Sequence, residues 1–200
     1  SLLRRPTNIL FITADDMNWD SVGVYGSDVP NITPNIDALA AQGVRFEHAH
    51  VNVAVCQPCR ESMLTGRYPH NNGATGFDPI RMDVPTLNEQ LKKAGYMNGI
   101  LSKTNHYEPE EKFCWDVKIE KKHLNRGRDP ELYYKHVKEF LDTAKEENKP
   151  FFLHVNSDDP HRPFEEADED SPYPFTRAYK RDEVIVPGFL PDIPDVRQEV

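Results

Sequence analysis

Asn8-Ile9-Leu10-Phe11-Ile12-Thr13-Ala14-Asp15-Asp16 is the stretch on which the fold turns. It opens as a short, nearly continuous apolar run and so predicts a strand buried on both faces, the kind found in parallel sheets flanked by helices. The run stops at two carboxylates. In open α/β sheets, ligands gather beyond the carboxyl ends of strands, and paired carboxylates there suit a hard divalent cation that takes oxygen ligands. Taken alone, an Asp-Asp pair after a strand is more often a turn or a helix cap.

The same pattern recurs further along the chain. Tyr96 to Leu101 predicts another buried strand and runs into Ser102-Lys103-Thr104-Asn105-His106. Phe151-Phe152-Leu153-His154-Val155 predicts the next and runs into Asn156-Ser157-Asp158-Asp159-Pro160-His161-Arg162-Pro163-Phe164. Helices fall between them. Thr33 to Gly43 has a cap residue, Pro34 at the first helical position, apolar spacing at Ile36, Leu39 and Ala40, and a terminal glycine. Thr86-Leu87-Asn88-Glu89 is a capping box for a helix ending at Gly95. Asp129-Pro130-Glu131 starts a helix whose Leu132, Tyr133, Val137, Phe140 and Leu141 form an apolar face, stopped at Asn148-Lys149-Pro150. This alternation predicts an α/β fold with a mostly parallel central sheet covered by helices, and chemistry-prone residues just past the strands.

Lys103 and His106, just past a strand end, are placed to meet an anion, although a solvated loop pair reads the same way. Val44 to Val51 alternates enough to predict a strand, with His48 and His50 on one side. No carboxylate or cysteine at metal spacing accompanies them, so packing or surface histidines are the reading. Tyr107 to Gly127 is charged and reads as irregular, with Cys114 and Trp115 in a local cluster. Asp158 and Asp159 read as a turn, and Glu165-Glu166-Ala167-Asp168-Glu169-Asp170 as a solvated loop.

Thirty-three acidic against 24 basic residues give a net charge of −9, which argues against a grip on nucleic acid or anionic membrane through the overall field. A polyanionic substrate needs a local positive site. No apolar run approaches the roughly 20 residues of a membrane span, and Ser1-Leu2-Leu3-Arg4-Arg5-Pro6 lacks the apolar core of a signal peptide. At 200 residues and 38% hydrophobic, the chain suffices for one domain; 17 prolines and 10 glycines predict many loops. Three cysteines give no even disulfide framework.

Two of those cysteines lie in Cys56-Gln57-Pro58-Cys59-Arg60-Glu61-Ser62-Met63-Leu64-Thr65-Gly66-Arg67. The stretch follows β-branched Val51, Val53 and Val55 and predicts a helix with Pro58 in its first turn and Gly66 at its end. Cys56 then sits at a helix N-terminus, where unpaired N–H groups and the helix dipole favour an anion. Cys56-x-x-Cys59 reads as a redox pair of the thioredoxin kind, or as half of a zinc site for which only Cys114 remains. The whole stretch also resembles the sulfatase signature, Cys-x-Pro-x-Arg followed by Leu-Thr-Gly. The Asp15-Asp16 pair, Lys103 with His106, and Pro160-His161-Arg162-Pro163 resemble further motifs of that family, in its order. Val184 to Asp192 resembles the Pro-rich stretch of heparan N-sulfatase-like members.

The resemblance implies an alkaline-phosphatase-like α/β sandwich. It implies hydrolysis of sulfate esters or sulfamates on a sulfated saccharide, with Cys56 oxidised to formylglycine by a maturation enzyme. Asp15, Asp16 and the modified Cys56 would hold Ca²⁺ or Mg²⁺. Arg60 and Lys103 would stabilise the sulfate, His106 would move a proton, and His161 would contact the sulfate and protonate the leaving group. Cys59 stands where most of the family has Ser, and Arg67-Tyr68-Pro69-His70 is a scaffold run. The family is commonly more than twice this length, so residues 1–200 are expected to be the N-terminal part of the catalytic domain, before its later metal ligands. A periplasmic, secreted or lysosomal location with a removed leader is implied too. A phosphodiesterase or phosphonate hydrolase of the same superfamily shares the chemistry. A non-enzymatic carbohydrate-binding relative is another reading, and a thioredoxin-like protein leaves Asp15, Asp16, Lys103 and His161 without a role.

Overall fold

The expected N-terminal strand forms as β1, Ile9–Ala14, in a computed structural model that describes residues 6–164 and 179–199. Along the chain follow helices α1 (Pro34–Gln42), α2 (Cys56–Thr65), the single turn α3 (Pro69–Asn72) and α4 (Leu87–Lys93). Strands β2 (Met97–Leu101) and β3 (Val117–Ile119), helix α5 (Pro130–Glu146), strand β4 (Phe151–Ser157) and helix α6 (Pro194–Glu199) complete the order. By its internal contacts the chain divides into two compact units, Ser1–Asp15 with His50–Asp159, and Asp16–Ala49 with Pro160–Val200.

The first unit holds a four-stranded parallel sheet in the order β1-β4-β2-β3. Register pairs Thr13 with Asn156, Leu101 with Val155 and Leu101 with Ile119, so the strands leave the sheet along one edge. That edge carries Asp15, Ser102, Lys103 and Asp158. On one face, Met97, Leu101 and Leu153 pack against Phe140 and Ala144 of α5. Gly99 makes this approach possible, because a Cβ there would lie 2.5 Å from the Phe140 ring. On the other face, Ile100 and Phe152 join Leu64, Ala74, Ile80, Tyr107 and Phe113, with Ile9 and Phe11 packed alongside. Helix α4 begins with the expected capping box: Thr86 accepts from the Glu89 N–H, and the Glu89 carboxylate accepts from the Thr86 N–H.

Three local expectations are corrected. The strand β1 is buried on one face only: Leu10 and Ile12 are 54% and 62% exposed, because β1 is an edge strand and the apolar face of α5 is taken up by β2 and β4. Residues 44–51 form no strand, since no described segment pairs with them, and Val44, Phe46 and Val51 are exposed. Alternation alone cannot supply the missing ladder partner. His48 and His50 are exposed, as read. The charged segment after Tyr107 is more ordered than expected, with β3 and 3₁₀ turns at Glu110–Lys112 and Lys121–Leu124. Trp115 does join a cluster, 5.7 Å from the Tyr107 ring and stacked 6.2 Å from Phe152.

The second unit contains 3₁₀ turns at Trp19–Ser21 and Gly23–Tyr25 together with α1 and α6. Thr33 does not cap α1 through its side chain. Its hydroxyl instead accepts from the Gly23 N–H at 2.8 Å and donates to Asp37 at 3.1 Å, tying the turn to the helix. The acidic run at 165–170 lies outside the described residues.

Candidate active site

Helix α2 starts at Cys56 and ends at Gly66, whose φ of 64° is the left-handed cap that glycine adopts without strain. Val55 before it is extended, and the Cys59 N–H donates to the Val55 carbonyl at 3.0 Å. Cys56 and Cys59 are both half-buried free thiols, one turn apart. Burial pushes the Cys59 thiol up, outweighing the nearby Arg60 charge.

Arg60, four residues into the helix, points at the strand ends and is buried. Its guanidinium donates to Thr13 Oγ1 at 3.2 Å, to Asp15 Oδ1 at 3.2 Å and to Asn156 Oδ1. Thr13 in turn donates to Asn156 Oδ1 at 2.8 Å, and Asn156 donates to the Leu101 and Ser102 carbonyls at 2.9 and 3.2 Å. One side chain on β4 thereby sets the spacing between β1, the end of β2 and the helix. His154, also on β4, is fully buried, and burial pushes it down to about 3, so it is a neutral ring in this network. It meets the Tyr107 hydroxyl at 3.2 Å.

Lys103 is buried and forms ion pairs with Asp15 and, at 3.4 Å, with Asp158. It reaches them through two consecutive residues of positive φ, Ser102 at 57° and Lys103 at 51°. L-residues pay for that conformation, and such strain collects at functional sites. Ser102 donates to Asp158 at 3.1 Å. Asp158 is therefore a buried partner of Lys103 and not merely a turn residue. Burial would raise the Asp15 carboxyl, but Lys103, by hydrogen bond and charge, and then Arg60 hold it below the usual carboxylate range. His106 follows in the same loop. Burial, then the Lys103 and Arg60 charges, push it down to about 4, and its Nδ1 is buried with no hydrogen-bond partner.

The structure thus brings Cys56, Arg60, Lys103, His106 and Asp15 into the first unit. Asp16 and His161 belong to the second, where the His161 Nε2 lies 3.7 Å from Asp16 Oδ2. The participants that sequence reasoning missed are Thr13, Tyr107, Asn156 and the buried role of Asp158. Thr13, Asn156 and Asp158 adjoin strand ends, the one signal that could have marked them.

A hard divalent cation takes about six to eight oxygen ligands. Asp15 and Asp16 match it in donor type, and Asp15 Oδ2 is a buried oxygen whose partner is the Lys103 ammonium. Among the described residues, no cluster of three or more His, Cys, Asp or Glu side chains stands together as a metal site. No described helix is long and apolar enough to cross a membrane.

A family model described as Sulfatase matches residues 7–184. The ulvan-active sulfatase of Formosa agariphila is 30% identical over 195 residues, covering 93% of this chain and 38% of that protein. Human N-sulphoglucosamine sulphohydrolase is 32% identical over 225 residues, covering 98% of this chain and 43% of that protein. The chain thus spans about two fifths of the length of these relatives. Among solved structures, Ps i-CgsB superposes with a TM-score of 0.66 at 27% identity, covering 83% of this chain and 48% of that one. BT4656, solved with its substrate D-glucosamine-2-N,6-O-disulfate, gives 0.68 at 24% identity, covering 79% and 35%, a likeness of fold. With the parallel α/β architecture and a match along nearly its whole length, the chain belongs to the sulfatase family.

Proposed function

We propose that this chain is the N-terminal part of a catalytic domain that hydrolyses sulfate esters or sulfamates on a sulfated carbohydrate. The observation that carries the reading is the buried cluster of Arg60 and Lys103 around Asp15, beside the helix that Cys56 begins. Two buried cations held by one shared carboxylate, in a chain of net charge −9, make a local site for a sulfate group.

In this reading Cys56 would be the residue converted to formylglycine, which would supply the nucleophilic hydroxyl, and Asp15, Asp16 and the modified residue 56 would hold a Ca²⁺ or Mg²⁺ that would supply positive charge. Arg60 binds two oxygens through its fork, and Lys103 meets a third as a point charge. Thr13 and Asn156 fix the guanidinium, so little reorganisation is needed as charge builds on the sulfate. His106, uncharged at neutral pH, accepts a proton at its unpartnered Nδ1. His161 contacts the sulfate and donates a proton to the departing sugar oxygen or nitrogen, its ring oriented by Asp16. The likeness to human N-sulphoglucosamine sulphohydrolase supports a sulfated amino sugar among the substrates.

The test expresses the full-length protein with a formylglycine-generating enzyme, maps the mass of the Cys56 peptide, and compares aryl sulfate, sulfated saccharide and aryl phosphate diester. The expected outcome is an aldehyde at residue 56 and turnover of the sulfated substrates. Faster turnover of the phosphate diester would move the assignment to the phosphodiesterase and phosphonate hydrolase branch.

A further inference from the structure

The chain is acidic, yet residues 117–128, Val-Lys-Ile-Glu-Lys-Lys-His-Leu-Asn-Arg-Gly-Arg, hold five Lys or Arg against one Glu. This segment emerges beside the candidate site. Strand β3 pairs in parallel with β2, Leu101 opposite Ile119, and the Ser102 N–H donates to the Ile119 carbonyl at 2.8 Å. The residues that follow each strand, Lys103 on one and Lys121 on the other, therefore leave neighbouring strands at the same edge, where strands run about 4.8 Å apart.

Asp158 joins the two. Its carboxylate lies 3.4 Å from Lys103 and 3.8 Å from Lys121, and its backbone N–H donates to the Gly127 carbonyl at 3.4 Å. Gly127 has a φ of 78°, and a Cβ there would lie 2.7 Å from the Asp158 carboxylate, so the segment can close onto Asp158 only with glycine. Arg128 turns inward to Asp159 at 2.9 Å. The other basic residues face outward. Lys121 and Lys122 have side chains 64% and 66% exposed, and Lys118 and Arg126 are exposed too. The carboxylates near the outward lysines, Glu110 by Lys118 and Glu120 by Lys122, make exposed pairs that a competing anion can exchange at little cost.

We propose that Lys121, Lys122 and Arg126 form a subsite for a second anionic group, sulfate or carboxylate, on a polyanionic saccharide. The group bound by Arg60 and Lys103 occupies the site one strand away. This inference rests on the sulfated-carbohydrate reading for the identity of the ligand, and it commits the substrate class to chains carrying several charges. An isolated monosulfated ester would not reach the subsite.

The experiment measures binding of heparin, as a polysulfated saccharide, and of inorganic sulfate to the full-length protein and to a Lys121→Ala/Lys122→Ala/Arg126→Ala variant, with folding checked by circular dichroism. A Lys121→Arg/Lys122→Arg variant controls for charge. The expected result is about tenfold weaker heparin binding for the triple alanine variant, since each exposed pairing contributes a fraction of a kcal/mol. The salt dependence should be shallower, the arginine variant should bind as the parent does, and inorganic sulfate affinity should change less than about twofold. Unchanged heparin affinity would overturn the subsite. So would an equal loss for double-stranded DNA, which would mark a non-selective polyanion surface. Failure of the parent to bind inorganic sulfate would count instead against the Arg60 and Lys103 site.

Discussion

Glu61 stands next to Arg60 on the helix that carries the nucleophile position, and it is fully buried. Its Oε1 accepts from the Glu108 N–H at 2.8 Å and from the Gln57 amide at 3.4 Å, stitching α2 to the loop that follows His106, while Oε2 has no partner. Burial, only partly offset by those hydrogen bonds, pushes the carboxyl up to about 7. The folded state then keeps a proton that the unfolded chain loses near 4.5, so stability falls as pH rises between about 4.5 and 7, and the full deficit persists above 7. Glu61→Gln keeps an acceptor and removes the charge. It should flatten that slope and stabilise the fold by about 2 kcal/mol at pH 8, measured by urea unfolding at pH 5 and pH 8. An unchanged slope would refute the account. The two cysteines differ as sharply. If Cys56 is the residue converted to formylglycine, Cys56→Ala should reduce turnover of an aryl sulfate to background, whereas Cys59→Ser should keep activity within about threefold, read in the enzyme co-expressed with its maturation partner. Equal loss in both folded variants would return the pair to dithiol chemistry. Cys56 and Arg60 were legible as candidates from their motif alone, and Lys103 from a motif that coincides with a strand end. Thr13 and Asn156 were not, because their hydrogen bond joins residues 143 positions apart and exists only once β1 pairs with β4.

Among the elements, those with local signals formed as read. The capping box of α4, the Asp129 cap of α5 and the glycine end of α2 each satisfy backbone groups within a few residues, so no tertiary knowledge was needed. The expectation for 44–51 failed because a strand is a pairing, and alternation of apolar residues does not name the partner. The short β3 escaped notice because three residues carry no readable period. Its position was set by Asp116, whose carboxylate accepts from the Asn98 N–H at 2.8 Å. The contact between α5 and the sheet offers a test at this scale. Gly99→Ala places a methyl 2.5 Å from the Phe140 ring and 2.8 Å from Leu153, both buried, so α5 must move off β2. Overpacking of this kind costs about 1–3 kcal/mol. The expected outcome is a thermal midpoint several degrees lower, restored in part by Phe140→Leu in the same chain. A Gly99→Ala variant as stable as the parent would mean that α5 sits further from the sheet.

Across the whole molecule, the acidic excess and the candidate site oppose each other: a chain of net charge −9 buries Arg60 and Lys103 together, and Asp15 is the carboxylate they share. Asp158 meets only Lys103 of the two. Removing one partner of a buried pair leaves an uncompensated charge, so Asp15→Asn should cost about 3 kcal/mol in dilute buffer. The consequence for function is a change in what anions do. In the parent, sulfate brings its charges to cations already balanced by Asp15 and Asp158. In Asp15→Asn, it meets cations short of a partner, so sulfate should raise the thermal midpoint of the variant more than that of the parent. Sodium chloride at equal ionic strength is the control, because screening alone acts on both proteins alike. Calcium should do the reverse, stabilising the parent and leaving the variant unmoved, if Asp15 is a ligand. Identical sulfate increments in the two proteins would show that Arg60 and Lys103 do not receive the anion. An identical calcium response would remove Asp15 from the metal site while leaving the anion site standing.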